Sequence, residues 1–200
     1  VMSLKTRFGN LGNILDFDNL TEENIYVLDS PILTNSQFKK FKKFFSKKVK
    51  VIDCTFDIKS SLKDRIEAIR EETETAVREG STALILSDKN ISNQKASIPS
   101  ILTVGAVHSH LVKHGLRGYC SLNVECSDAL DTHSFAILIG VGATTVNPYL
   151  AIDSIYQRFE KKLFGKSDFE SCVEKFKKSI DAGLLKIMSK MGISVISSYR

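Results

Sequence analysis

The chain has 200 residues, 42% of them hydrophobic and 26% charged, with a formal net charge of +5; this is the balance of a globular chain able to bury one substantial core. No apolar run approaches the about 18 residues a membrane span needs, and no basic patch followed by an apolar stretch opens the chain, so a cytoplasmic location without membrane or targeting segments is expected. Cys54, Cys120, Cys126 and Cys172 are widely and irregularly spaced, which argues against a disulfide scaffold or paired zinc ligands and reads as buried, reduced thiols.

Residues 1–36 read as an irregular strap. Gly9, Asn10, Gly12 and Asn13 mark turns, and Asp29-Ser30-Pro31 marks a break before Ile32 and Leu33. Seven lysines between Lys39 and Lys50 carry more than the whole net charge, leaving −2 for the rest of the chain. Phe38, Phe41, Phe44 and Phe45 are interleaved with them as one apolar face of a short helix, the lysines forming its solvated side. No aromatic or Arg-rich recognition pattern accompanies the cluster, so neither nucleic acid nor membrane is expected as a partner.

From Lys48 onward strands and helices alternate. Strands are predicted over Val49–Phe56, Thr82–Ser87, Tyr119–Glu125 and Ala143–Pro148. Helices are predicted over Ser61–Arg78, Ser100–His114 and Leu130–Val141, and from Tyr149 and Phe169. Short, largely apolar strands separated by helices call for a mainly parallel sheet of about four strands with right-handed crossovers, either an open α/β sheet or part of a barrel. The last eighteen residues, from Gly183, look like an element cut off: Met188, Met191, Ile193, Val195 and Ile196 need a core that no further residues supply. With an apolar residue ahead of Met2 as well, the chain reads as a piece of a larger protein.

No complete active site is legible. GxGxxG, a Walker lysine and a Gly-x-Ser-x-Gly elbow are all missing. In parallel α/β folds ligands gather at the carboxyl ends of strands, where Asp57, Asp88, Glu125 and Asp128 are candidate acids, bases or Mg²⁺ ligands; turn and cap roles explain the same residues, Asp128 as a cap of the helix that follows it. His110 and His114 are i, i+4 and face one way, but Leu111-Val112-Lys113 lacks the glutamate of HExxH. His108 joins them on one predicted helix, and His133 reaches them only through the fold. Packing and helix-end roles are expected of them, and no metal site.

Several ordered strings resemble one family: MSLKTRFG (Met2–Gly9), DSPILTN (Asp29–Asn35), ILSD (Ile85–Asp88), IPSILTVGAVH (Ile98–His108), GA (Gly142–Ala143) with VNPYLA (Val146–Ala151), and GLLKIMSKMGIS (Gly183–Ser194). They are similar to the central domain of the glutamate synthase large subunit. The resemblance implies an incomplete TIM-barrel-like fold that lines an ammonia tunnel between an amidotransferase domain and an FMN-binding domain of the same polypeptide, in an enzyme making L-glutamate from L-glutamine and 2-oxoglutarate. It implies residues 1–165 as the central domain, with 1–47 as strap and basic helix and 48–165 as β/α units, and residues 166–200 as a linker helix running into the FMN-binding domain. Leu33, Thr34 and Asn35 would stand at the tunnel entrance and domain junction. Met188, Ser189, Lys190 and Met191 would correspond to the first-strand region of the FMN domain, near the flavin only in the intact enzyme. FMN and an iron–sulfur cluster belong to the parent enzyme, with a small electron-delivering subunit or ferredoxin as a further partner, and this piece alone is expected to bind neither cofactor and to be inactive. One departure is the string His108-Ser109-His110, where many members carry a third histidine.

Overall fold

The computed structural model of the chain describes residues 2–10 and 25–199; the turns expected at Gly12 and Asn13 lie outside them. Within the described residues, the strap expected over residues 1–36 is more regular than its Gly and Asn content predicts. Strand β1 (Thr6–Phe8) pairs antiparallel with β2 (Tyr26–Leu28), and Ile32 forms a parallel bridge with Val146, fixed by Leu33 N–H to Val146 O at 2.9 Å and Val146 N–H to Pro31 O at 2.9 Å. These pairings are long-range, which is why local turn residues gave no sign of them.

Helix α1 (Asn35–Phe45) follows, opened by a reciprocal capping box. The Thr34 hydroxyl accepts the Gln37 amide and the Gln37 side chain accepts the Thr34 amide, satisfying two end donors at once. Its Phe38, Phe41 and Phe45 are buried while Phe44 is half exposed, so the predicted apolar face is one residue narrower than the spacing suggested.

The expected strand over Val49–Phe56 is two strands. Strand β3 (Val49–Asp53) enters the main sheet, and β4 (Thr55–Asp57) pairs antiparallel with β6 (Lys95–Ser97) in a separate ribbon. Cys54 is the pivot: its N–H donates to Ser87 O and its carbonyl accepts from Ile98 N–H, while the Arg65 guanidinium donates to the carbonyls of Asp53 and Thr55 on either side. The remaining order is α2 (Leu62–Arg78), β5 (Ala83–Ser87), β6, α3 (Ser100–Lys113), β7 (Ser121–Glu125), α4 (Thr132–Gly140), β8 (Thr145–Asn147), α5 (Tyr149–Glu160) and α6 (Phe169–Met191). The helices begin where caps permit: the Ser61, Asp131 and Asp168 side chains accept the amides of Asp64, Ser134 and Ser171.

Strands β3, β5, β7 and β8 form a fully parallel sheet in sequential order, β3-β5-β7-β8. This is the α/β architecture of alternating units expected from the sequence, an incomplete barrel. All five residues of β5 and all five of β7 are buried, as strands covered on both faces must be. Period-two alternation divides them. Leu84, Leu86, Leu122, Val124 and Val146 face a core shared with α2, α3, α4 and α6. On the other face Ala83 and Ile85 meet Leu33, Phe38, Phe41, Phe45 and Phe8, a tight aromatic group with Phe8–Phe41 and Phe41–Phe45 ring centroids each 5.1 Å apart. The face that a complete barrel turns inward is thus filled by α1 and the β1–β2 pair.

Of the C-terminal stretch read as a truncated element, Met188 and Ile196 pack within this chain while Met191 and Val195 stay exposed. Met188–Met191, strand-like by resemblance, is the last turn of α6. Met188 is fully buried, while Ser189, Lys190 and Met191 point to solvent. Gly192, at φ 72°, closes the helix in a left-handed conformation that glycine adopts without steric cost. The chain then returns to pair Ser3 with Val195, through Ser3 N–H to Ser194 O at 2.8 Å and Ile196 N–H to Ser3 O at 3.0 Å, and buries Ile196. Among the described residues no helix is long and apolar enough to cross a membrane.

Candidate functional site

Where β5, β7 and β8 end, their last residues point to the same face as Phe38 and Phe41 and are polar. Ser87, Glu125 and Asn147 stand in register across the three strands. Glu125 is almost completely buried. Its Oε2 accepts from Ser87 Oγ at 2.7 Å, and its Oε1 meets Lys89 Nζ at 2.9 Å and Lys42 Nζ at 3.6 Å. Burial alone would raise its pKa, but the hydrogen bonds from Ser87 and Lys89 and the charges of Lys42 and Lys89 outweigh that and hold the carboxyl below its usual range. One lysine of the basic helix is therefore spent inward, on the sheet. Lys42 also lies 4.7 Å from the Phe38 ring, and Lys89 4.9 Å from that of Tyr149.

Two residues back on the same face, a buried polar layer runs across the sheet. Thr145 Oγ1 donates to Asn123 Oδ1 at 2.7 Å, and Asn123 Nδ2 donates to Leu84 O and Ser121 Oγ, each at 3.1 Å. Beyond the strand ends Asp88, also buried, accepts from the amide and the hydroxyl of Ser127 at 2.9 and 2.6 Å. Burial first, and then the Asp88 carboxylate beside it, push the Tyr149 phenol upward.

The expected loop Leu33-Thr34-Asn35 arrives at this edge. Asn147 Nδ2 donates to Leu33 O at 2.9 Å and to Asn35 Oδ1 at 3.0 Å, tying the loop to the end of β8. Thr34 and Asn35 line a cleft of about 430 Å³ with Ser36, Ile152, Tyr156 and Phe169, between the start of α1 and helices α5 and α6. The Thr34 hydroxyl serves its helix as a cap. Among the described residues the buried Oδ1 of Asn147 has no hydrogen-bond partner, so this edge holds acceptor capacity left unused there.

The four carboxylates proposed from sequence do not converge. Asp88 and Glu125 share this edge, but exposed Asp57 stabilises its own turn through the Lys59 amide at 2.8 Å. Asp128 caps α3 rather than the helix that follows it, accepting the Ser100 amide at 2.9 Å; Asp131 caps α4. Of Met188–Met191 only Met188 enters the helix-side core, apart from the cluster that holds Leu33. The cysteine thiols are all buried and unpaired. Burial raises Cys120 to about 11 and Cys54 and Cys126 further, conditions in which a thiolate nucleophile does not form. Asn147 and the lysine pair around Glu125 were not singled out from sequence. Asn147 was legible only as a strand-end polar residue before Pro148, and Lys42 only as one of seven lysines.

The family model for the glutamate synthase central domain matches residues 1–200. The large chain of glutamate synthase [NADPH] from Azospirillum brasilense is 52% identical over 203 residues, covering all of this chain and 13% of that protein. The Bacillus subtilis large chain is 39% identical over 208 residues, and the chloroplastic ferredoxin-dependent glutamate synthase of Spinacia oleracea 37% over 214, with the same coverage. The chain spans 13% of the length of these relatives. Among solved structures, a flavocytochrome b2 mutant with benzoylformate has a TM-score of 0.53 at 15% identity, covering 82% of this chain and 36% of that one. The recombinant flavin-binding domain of baker's yeast flavocytochrome b2 has a TM-score of 0.52 at 15% identity, covering 84% and 37%. These last two likenesses concern the fold alone.

Proposed function

This chain belongs to the glutamate synthase central domain family, and from that premise we propose that it is the connecting, ammonia-tunnel-lining domain of a cytoplasmic glutamate synthase large chain that makes L-glutamate from L-glutamine and 2-oxoglutarate. The match over residues 1–200 carries this reading. The partners are the amidotransferase and FMN-binding domains of the same polypeptide, and an electron-delivering subunit or ferredoxin serves the whole. The rival reading, an independent small-anion or nucleotide-binding domain, draws no support from the family match.

The chemistry asked of such a wall is passive. Ammonia must cross without meeting bulk water, where it becomes ammonium, and exclusion of water is what a packed wall supplies. The tie from Asn147 to Leu33 and Asn35 supports a fixed loop at the edge where the passage opens. The unpartnered acceptor at Asn147 Oδ1 suits a neutral N–H donor, while the Asp88 carboxylate is taken up by the Ser127 amide and hydroxyl beside the Tyr149 phenol. An unneutralised buried carboxylate would instead attract ammonium and hold it; Glu125 is already satisfied by Lys42, Lys89 and Ser87. The chain's own residues do not make a flavin cradle, since Phe8, Phe38, Phe41 and Phe45 fill the inward face over β5. Four separated, buried cysteines likewise suit no iron–sulfur cluster here, so both cofactors are assigned to the neighbouring part of the enzyme.

The test is coupling in a large chain that carries this domain. Replacing Asn35 or Asn147 by leucine should leave glutaminase activity and ammonia-supported synthesis in place while lowering the glutamate made per glutamine hydrolysed. Unchanged coupling in both variants would sink the reading.

A further inference from the structure

Away from the strand ends, three ligating side chains converge on the opposite rim. Glu74 stands one turn before the end of α2, and His110 and His114 occupy the end of α3. Helices that cross over between parallel strands run back to the strands' starting edge, the edge that in β/α folds serves stability rather than chemistry.

The i, i+4 spacing brings the two imidazoles together, with centroids 4.3 Å apart. His110 Nε2 lies 2.7 Å from Glu74 Oε2, and His114 Nδ1 lies 3.9 Å from the same oxygen. One potential ligand atom from each residue falls within 4.8 Å of the others. A tetrahedral zinc ion with bonds of about 2.0–2.2 Å spaces its ligands about 3.3 Å apart, so the site needs only small side-chain adjustments. His114 Nδ1 rests 2.8 Å from the His110 carbonyl; an ion on that nitrogen displaces this hydrogen bond, so the ring turns toward Glu74 as it binds.

Glu74 is prepared for the same role. Arg78 occupies its Oε1, with Nε at 2.9 Å and Nη2 at 2.8 Å, leaving Oε2 to the histidines. The side chains of His110, Glu74 and His114 are 16, 22 and 34% exposed, open enough for an ion to enter and keep a water. Two histidines and one carboxylate with an open position form a donor set that zinc accepts. The carboxylate comes from a neighbouring helix, so the missing HExxH glutamate is not required.

We propose that Glu74, His110 and His114 form a zinc-class divalent metal site that clips the end of α2 to the end of α3, with water completing the coordination. Its role is structural, and it is independent of the tunnel reading.

Titration of the chelator-treated chain with Zn²⁺ by calorimetry tests it. One ion should bind per chain and raise the thermal midpoint by several degrees. H110A and H114A should each weaken binding at least ten-fold, and H133A, on a different helix, should leave it unchanged. Co²⁺ in place of Zn²⁺ should give visible bands of a nitrogen and oxygen site without the near-ultraviolet thiolate band of cysteine ligation. The proposal is overturned by the absence of saturable binding up to about 100 μM, an affinity of roughly 5.5 kcal/mol. It is equally overturned by a thiolate band, or by H114A binding as the wild type does. His114 is partly exposed at a helix end, so H114A keeps the test available should H110A fail to fold.

Discussion

Asn147 donates to the carbonyl of Leu33 across 114 positions of sequence, at 2.9 Å and in full burial. The bond joins the end of the last sheet strand to the loop that opens α1, and the same nitrogen reaches Asn35.

Asn147→Ala removes that donor and strands a buried carbonyl, a loss of about 1–3 kcal/mol. Urea unfolding should show a lower midpoint with an unchanged slope. A loss below about 0.5 kcal/mol, the range of unremarkable surface changes, would mean that the tie contributes nothing.

Glu125→Gln should cost about 1–3 kcal/mol at pH 7, less than a wholly buried ion pair because both lysines remain half exposed. The sign follows from the lowered carboxyl. The folded pKa lies below the unfolded value of about 4.3, so the contribution is complete above that pH and disappears as pH falls through the folded value. Denaturation curves of wild type and variant should converge in acid; a gap that widened there would contradict the arrangement.

At Gly183 helix α6 passes close against Thr132, at the start of α4. A Cβ built there meets Thr132 Cγ2 at 2.5 Å and Oγ1 at 2.7 Å. Gly183→Ala should therefore destabilise by about 1–3 kcal/mol, overriding the about 1 kcal/mol of helix propensity that alanine offers. In a Thr132→Ala background the penalty should shrink sharply, because the two nearest atoms are gone. Additive effects in the double-mutant cycle would refute the contact.

The thiols of Cys54, Cys120 and Cys126 should resist an aromatic disulfide reagent at pH 8 in the folded chain and react fully on unfolding. Burial withholds both access and the thiolate. Rapid native labelling of Cys54 or Cys126 would be inconsistent with their packing.

Much of the architecture was legible because it is written in local periodicity. Leu62, Ile66, Ile69, Ala76 and Val77 give α2 its buried stripe, and Ala83–Ser87 is continuous enough to be a strand covered on both faces. What escaped depends on pairings between distant residues. The break of β3 from β4 at Cys54 depends on Ser87, Ile98 and Arg65, and the order of residues 6–8 and 26–28 depends on each other. Ile196 looked orphaned because its partner Ser3 lies at the other end of the sequence, and Met188 because its core is built by strands and helices far upstream. The strand-end edge was half visible: Leu33, Thr34 and Asn35 came from resemblance, and Glu125 from its place after a strand. Nothing local linked Lys42 to Glu125 or Glu74 to His110, since both pairs exist only once helices are laid against the sheet.

The bridge between Ser3 and Val195 has a mechanical corollary. Residues 3 and 195, remote in sequence, are held one strand spacing apart, about 4.8 Å, so the chain between them closes like a clasp. Length inserted between them leaves that separation unchanged. Cutting that stitch, for example by proline at Ile196, whose amide donates to Ser3, would let the two flanks drift apart while the sheet itself stayed intact.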